Sequence, residues 1–162
     1  MSVQTRIEAA LVDLQRDLVL NYDKLGLRAS GKWANELENF YNETGTGYRF
    51  GILGAQYTDV LQNGRRKNTK QTKESLRAWV GWAGSTFLKD WVEQKGIQVS
   101  PFAVAWKIAR EGVKVPNAFN SGGLVSDVIN DEAIEKFAEI IRFSIIESVS
   151  SDVKNVLTNG NN

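Results

Sequence analysis

The last thirty residues carry the clearest periodic pattern in the sequence. Apolar residues recur there at steps of three or four positions, which is the spacing of one face of an α-helix. Acidic residues come first, where the helix dipole favours negative charge. The apolar positions are Ile134, Phe137, Ile141, Ile145, Val149 and Val153, with Ile140 and Ile146 widening the stripe. The pattern predicts a long C-terminal amphipathic helix.

The N-terminal segment has the same kind of spacing. Its apolar residues step by three and four from Val3 to Leu25, and Gly26 follows as a helix stop. The stripe covers almost three heptads, so it suits either packing in the core or a seam between subunits. On the second alternative, Leu11 and Leu18 are candidate inter-subunit contacts.

The spacing of the apolar and aromatic residues changes between Trp33 and Leu53. Aromatic-rich runs there flank the turn-forming residues 44–47, which include Gly45 and Gly47. This arrangement predicts an antiparallel β-hairpin. A dinucleotide-binding loop is not indicated, because the third glycine is out of place and no helix follows the turn.

The middle of the chain reads as several shorter helices. Residues 55–63 suit a short helix or strand, and residues 75–95 suit either one helix or two that meet near Gly84. Ser100 and Pro101 are typical of a helix start. Residues 113–130 read as a loop.

The order of these elements predicts an α+β fold. It has a long N-terminal helix, an antiparallel β-hairpin or small sheet, central helices and a long C-terminal amphipathic helix. We expect a single structural domain over residues 1–157 and a flexible tail over residues 158–162.

Composition restricts the chemistry. The chain contains no cysteine and no histidine, so thiolate chemistry, the usual general base and the commonest metal ligand are all missing. No stretch approaches the roughly 20 apolar residues that span a bilayer. We therefore expect a protein that is not an enzyme, has no cofactor, metal site or membrane contact, and stays in a cytoplasm-like environment or in a particle assembled there.

One strongly basic segment stands out, since the chain as a whole has 20 basic and 19 acidic residues. No acidic residue interrupts it, and we predict a mobile loop that contacts DNA, contacts a protein partner or is simply solvated. Trp79 and Trp82 follow closely, where they could stack on unpaired bases, although core or inter-subunit packing explains them more simply. The basic residues are Arg65, Arg66, Lys67, Lys70 and Lys73.

Five runs stand in a fixed order along the chain: Leu27–Lys32, Tyr57–Arg65, Leu88–Ile97, Ser100–Gly112 and the loop Asn120–Gly123. Together they resemble the neck or tail-completion proteins of tailed bacteriophages. The resemblance is closest to versions from phages of Bacteroidetes hosts and extends over roughly residues 20–157. The chain departs from the family after Arg66, where a longer stretch replaces a proline and a short link.

The resemblance implies a virion structural protein that carries no chemistry. It would form a homo-oligomeric ring, of six or twelve copies, between the portal or connector and the tail proteins. It would help to retain packaged DNA and would be assembled in the host cytoplasm.

Two alternatives remain open from the residues alone. The first is a small, non-specific nucleic-acid-binding module that uses the basic loop 65–73. The second is an enzyme that uses paired carboxylates, for which Glu36, Glu38 and Asp131 are the candidates.

Overall fold

The computed structural model describes residues 2–67 and 72–159. The α+β prediction is confirmed, with long helices at both ends of the chain. The helices are α1 (Val3–Lys24), α2 (Lys32–Asn35), α3 (Thr58–Asn63), α4 (Lys73–Ser85), α5 (Phe87–Gln94), α6 (Pro101–Glu111) and α7 (Asp131–Asn159). The strands are β1 (Glu38–Thr44), β2 (Gly47–Leu53), β3 (Gly64–Arg65) and β4 (Val113–Lys114).

The chain divides into two compact units. One contains Met1–Asn21, Leu37–Leu53 and Val125–Asn162, and the other contains Tyr22–Glu36 and Gly54–Leu124. We call them the terminal unit and the central unit. The single domain expected from the sequence stays a prediction.

The terminal unit combines most of α1 with the β1–β2 hairpin and α7. The strands are antiparallel, with Tyr41 opposite Phe50 and Thr44 opposite Gly47 at the turn. The Phe50 ring stacks on Phe137 of α7, with 5.4 Å between ring centroids. Apolar residues from α1 fill the core, as its three-and-four spacing predicts.

The central unit packs α4, α5 and α6 around small and branched side chains. Its core cluster consists of Val80, Ala83, Leu88, Ala105 and Ala109. Gly84 lies inside α4, where a Cβ atom would come within 2.6 Å of the Phe102 ring. The helix break falls at Thr86, between α4 and α5, so of the two alternatives left open by the sequence the structure shows two helices, which meet two residues after Gly84.

Other boundaries differ from the sequence expectation. Trp33 belongs to α2 and not to the hairpin. Its indole is buried, and its Nε1 donates to Thr58 Oγ1 at 2.9 Å. The short segment ending at Asn63 is a helix. At the other end of the chain, α7 continues to Asn159, so that only residues 160–162 of the expected tail lie outside the described residues.

The expected basic loop is partly ordered secondary structure. Arg65 lies in β3, where it pairs with Val113, and Lys73 is the first residue of α4. The Ser75 backbone N–H donates to Thr72 Oγ1 at 3.2 Å, which caps that helix. Lys70 lies outside the described residues. The predicted loop over residues 113–130 likewise begins with a strand, β4.

Candidate functional site

A two-residue ladder positions the basic segment. β3 and β4 pair antiparallel, with Gly64 opposite Lys114 and Arg65 opposite Val113. Each strand directly follows a helix, since β3 continues from α3 and β4 comes just after α6. The ladder therefore brings residues about fifty positions apart in sequence to one place in the central unit.

Two glycines make this close pairing possible. Gly64 and Gly112 both have positive φ angles, 82° and 79°, which side-chain-bearing residues rarely adopt. A Cβ atom at Gly64 would overlap the carbonyl oxygen of Val113, and one at Gly112 would overlap that of Arg65. Each helix thus ends at a glycine whose backbone packs against the other segment.

A groove of about 1250 Å³ lies beside the ladder. Four of its lining residues are basic and two are acidic, so the lining carries a net positive charge of two. We call it the basic groove. Its charged residues are Arg65, Arg66, Lys67, Lys114, Asp59 and Glu111, and Val60, Asn63, Gly64, Val113 and Val115 complete the lining.

Arg65 is held in a fixed position within this lining. Its guanidinium carbon lies 4.2 Å from the centroid of the Trp79 ring, the geometry of a cation–π contact. Trp79 in turn packs against the core of the central unit. The Trp79 ring is therefore occupied by Arg65 and by the core, and we do not assign it to base stacking.

The groove collects only part of the basic segment identified in the sequence. Arg65, Arg66 and Lys67 line it, whereas Lys73 does not belong to its lining. Lys114 was missed, because it lies far from the other cations in sequence. The sequence offers one local signal that connects Lys114 with Arg65. Each follows a helix and a glycine, and the basic residue comes within two positions of that glycine.

The central unit also has four large aromatic side chains that are substantially exposed. Trp82 is 58% exposed and Phe87 is 48% exposed, and their rings form an edge-to-face pair with 5.5 Å between centroids. Phe102 and Trp106 lie one turn apart on α6 and are 46% and 38% exposed. We call these four residues the aromatic surface. The sequence identified only Trp82 among them as a candidate contact.

The two leucines proposed as inter-subunit contacts lie in the core of the terminal unit. Leu11 is 2% exposed and Leu18 is 3% exposed. The structure therefore favours the core-packing alternative for the α1 stripe, since a buried side chain has little surface to offer a second subunit.

The candidate carboxylates are solvated side chains. Glu36 pairs with Lys32 at 3.4 Å, Glu38 begins β1, and Asp131 begins α7. All three residues are exposed. Across residues 2–67 and 72–159, no three potential ligand side chains form a group that could hold a metal ion. Within the same ranges, no helix has the length and apolar character to cross a membrane.

In comparisons with protein-family models, curated proteins and solved structures, no match to this chain was found.

Proposed function

We propose that this chain is a non-catalytic virion structural protein of the phage neck. In this proposal it forms a homo-oligomeric ring that joins the portal to the tail and helps to retain packaged DNA. The aromatic surface is the observation that supports the proposal most directly. The ordered sequence runs that resemble neck and tail-completion proteins support the proposed location in the virion.

The aromatic surface suits contact with other protein chains. Large aromatic side chains are enriched at the centres of protein interfaces, where their burial contributes most of the binding energy. In water, the same rings leave apolar area exposed, at a cost of about 25 cal/mol per Å² relative to burial. Trp82 and Phe87 already form an ordered pair, so little side-chain entropy is lost when a neighbour covers them.

A ring follows if this surface meets a different face of the next copy. Such head-to-tail contacts generate closed rings when the rotation between neighbours closes. The proposal places six or twelve copies between the portal or connector and the tail proteins. Assembly needs only surface complementarity, so no catalytic group is required.

Location in particles tests the virion part of the proposal. Quantitative mass spectrometry of purified particles should find this chain at a fixed ratio of several copies per portal ring, and antibody labelling should mark the neck. Detection only in host cells, and never in purified particles, would rule the location out.

Substitution at the aromatic surface tests the assembly part. Trp82→Ser should abolish incorporation into particles while the isolated protein keeps its helical circular dichroism, because the side chain is mostly exposed. Tyr48→Ser, at an exposed aromatic residue of β2, is the matched control and should assemble normally. Equal incorporation of the two variants would show that assembly does not depend on the aromatic surface.

The basic groove favours a second candidate function, non-specific binding of nucleic acid. Lysine and arginine side chains neutralise phosphates without reading sequence, and such binding weakens steeply with salt. Arg66, Lys67 and Lys114 are all exposed and line the groove. In a neck ring, the same groove would contact the packaged DNA.

Binding to a short DNA duplex at several salt concentrations tests the second candidate. As a nucleic-acid-binding module, the isolated protein should bind with a log–log salt slope of about −2 to −3, roughly 0.9 for each phosphate neutralised. Arg66→Glu with Lys67→Glu should then remove binding, whereas Lys89→Glu with Lys107→Glu, outside the groove, should weaken it much less. No measurable affinity at low salt would leave the assembly function alone.

A further inference from the structure

The second half of α7 carries an apolar stripe with no partner among the described residues. Every residue from 145 to 158 is exposed. Six of these side chains are apolar, and each is between 40% and 71% exposed. We call them the outer stripe, which consists of Ile145, Ile146, Val149, Val153, Val156 and Leu157.

The outer stripe lies on a different face of α7 from the residues packed in the terminal unit. An α-helix turns about 100° per residue, so each step of four residues advances about 40° beyond a full turn. Four such steps lead from Phe137 to Val153 and move the apolar line about 160° around the helix. Phe137 contacts the hairpin and Ser144 is buried, whereas Val153 points to the opposite side.

A contact between α1 and α7 holds this orientation. The Arg6 guanidinium donates to Glu147, and its carbon lies 5.3 Å from the centroid of the Phe143 ring. By the same helical geometry, Phe143 and Glu147 of α7 lie on average about 120° from the centre of the outer stripe. With that side of α7 turned to α1, the stripe is directed away from the terminal unit.

We infer that the outer stripe binds the outer stripe of a second copy of this chain, with the two helices parallel. The spacing of Ile146, Val149, Val153 and Val156 alternates three and four residues, which is the a and d spacing of a coiled coil. The polar residues of this segment all lie outside an apolar arc of about 120°, wide enough for one partner helix.

The exposed area is sufficient for a second copy. Six branched apolar side chains at these exposures offer on the order of 600 Å² per chain, or about 1200 Å² in a pair, the lower end of specific interfaces. A second helix of the same length and stripe width presents an equal apolar area to cover it. We therefore expect a reversible pair, strengthened by any further contacts in the assembly.

Charge at the edge of the stripe selects the parallel arrangement. In the described part of α7 beyond Ser144, Asp152 is the charged residue that borders the stripe most closely. An antiparallel pair centred between Val149 and Val153 would bring the two Asp152 carboxylates together on one side. A parallel pair places them on opposite sides, which avoids like-charge repulsion.

The natural absence of cysteine makes a direct test simple. Val153→Cys places a single thiol on the outer stripe, and Ser151→Cys places one about 160° away on the same helix. A disulfide needs Cα atoms closer than about 7 Å. On oxidation at low protein concentration, Val153→Cys should give covalent dimers at least tenfold faster than Ser151→Cys.

Three outcomes would overturn the inference. Equal rates for the two variants would show that the stripes do not meet. Cross-linking only in a mixture of Val149→Cys and Val153→Cys would replace the parallel arrangement with an antiparallel one. A cross-link from Val153→Cys to a different protein in particles would also overturn it, by identifying another occupant.

This inference rests on the proposed function in that both require copies of the chain to bind one another, yet the two can fail separately. Val153→Glu should weaken self-association at least tenfold while the circular dichroism stays helical, because Val153 is exposed in a single copy. If the Val153→Glu variant assembled as well as the wild type, the pairing would be refuted and the neck ring would stand. Dimers joined through Val153→Cys in a protein never found in particles would refute the neck ring alone.

Discussion

The backbone of Gly64 packs directly against the carbonyl group of Val113. A Cβ atom at Gly64 would overlap that carbonyl oxygen, and Gly112 stands in the same relation to Arg65. The two helix ends, α3 and α6, are thereby joined into the β3–β4 ladder. This joint places Arg65 and Lys114 beside one groove.

Gly64→Ala should destabilise the protein by at least about 2 kcal/mol, because it combines a strained positive φ with backbone overlap. Urea denaturation followed by circular dichroism measures the change. Gly45→Ala is the matched control, since a Cβ atom in that hairpin turn meets nothing within 4 Å. A cost at Gly64 no larger than that at Gly45 would contradict the described ladder.

The ladder also shows where sequence reasoning ends. Helices α1, α6 and α7 and the β1–β2 hairpin follow from apolar period and turn residues, which are local signals. A two-residue strand pair has no period, and its partner lies about fifty residues away. Arg65 and Lys73 were therefore assigned to a loop, and Lys114 was not connected with them.

Helix α7 shows a second limit of pattern reading. The sequence placed Phe137, Ile145 and Val153 in one stripe, and the helix itself is confirmed. Steps of four residues accumulate rotation, however, so that the stripe passes from the inner face to the outer face. Local spacing predicts a helix well. It does not show how far along the helix the packing against the rest of the unit extends, and therefore which apolar residues stay exposed.

Trp33→Phe should cost about 1 kcal/mol of unfolding free energy. The indole is buried and its Nε1 donates to Thr58 Oγ1, while that hydroxyl donates to the Ala55 carbonyl at 2.7 Å. The substitution removes one donor and leaves the half-buried Thr58 hydroxyl with an unused acceptor site. Trp106→Phe, at an exposed position of α6, should change stability by less than about 0.5 kcal/mol. Equal effects at the two sites would show that the Trp33–Thr58 hydrogen bond contributes little.

Alkaline pH should weaken the fold through Tyr57. Burial, with smaller contributions from the nearby Glu36 and Tyr22, raises the pKa of Tyr57 from 10.0 to about 12. The folded protein thus holds the phenol proton more tightly than the unfolded chain does. The resulting stability is complete below pH 10 and is lost as the pH rises from 10 towards 12.

Tyr57→Phe provides the check on this pH dependence. The variant cannot ionise at position 57, so its unfolding free energy should fall less between pH 10 and pH 12 than that of the wild type. Urea denaturation at a series of pH values measures the difference. Parallel pH profiles for the two proteins would show that Tyr57 titrates equally in the folded and unfolded states.

The mass of the purified protein in solution tests the central claim of self-assembly most directly. Mass photometry, supported by light scattering at higher concentration, should find a species near six or twelve times the 18.1 kDa of one chain. Trp82→Ser should shift the population to smaller species. A single mass of 18.1 kDa at every concentration, with the wild type and Trp82→Ser indistinguishable, would contradict the account.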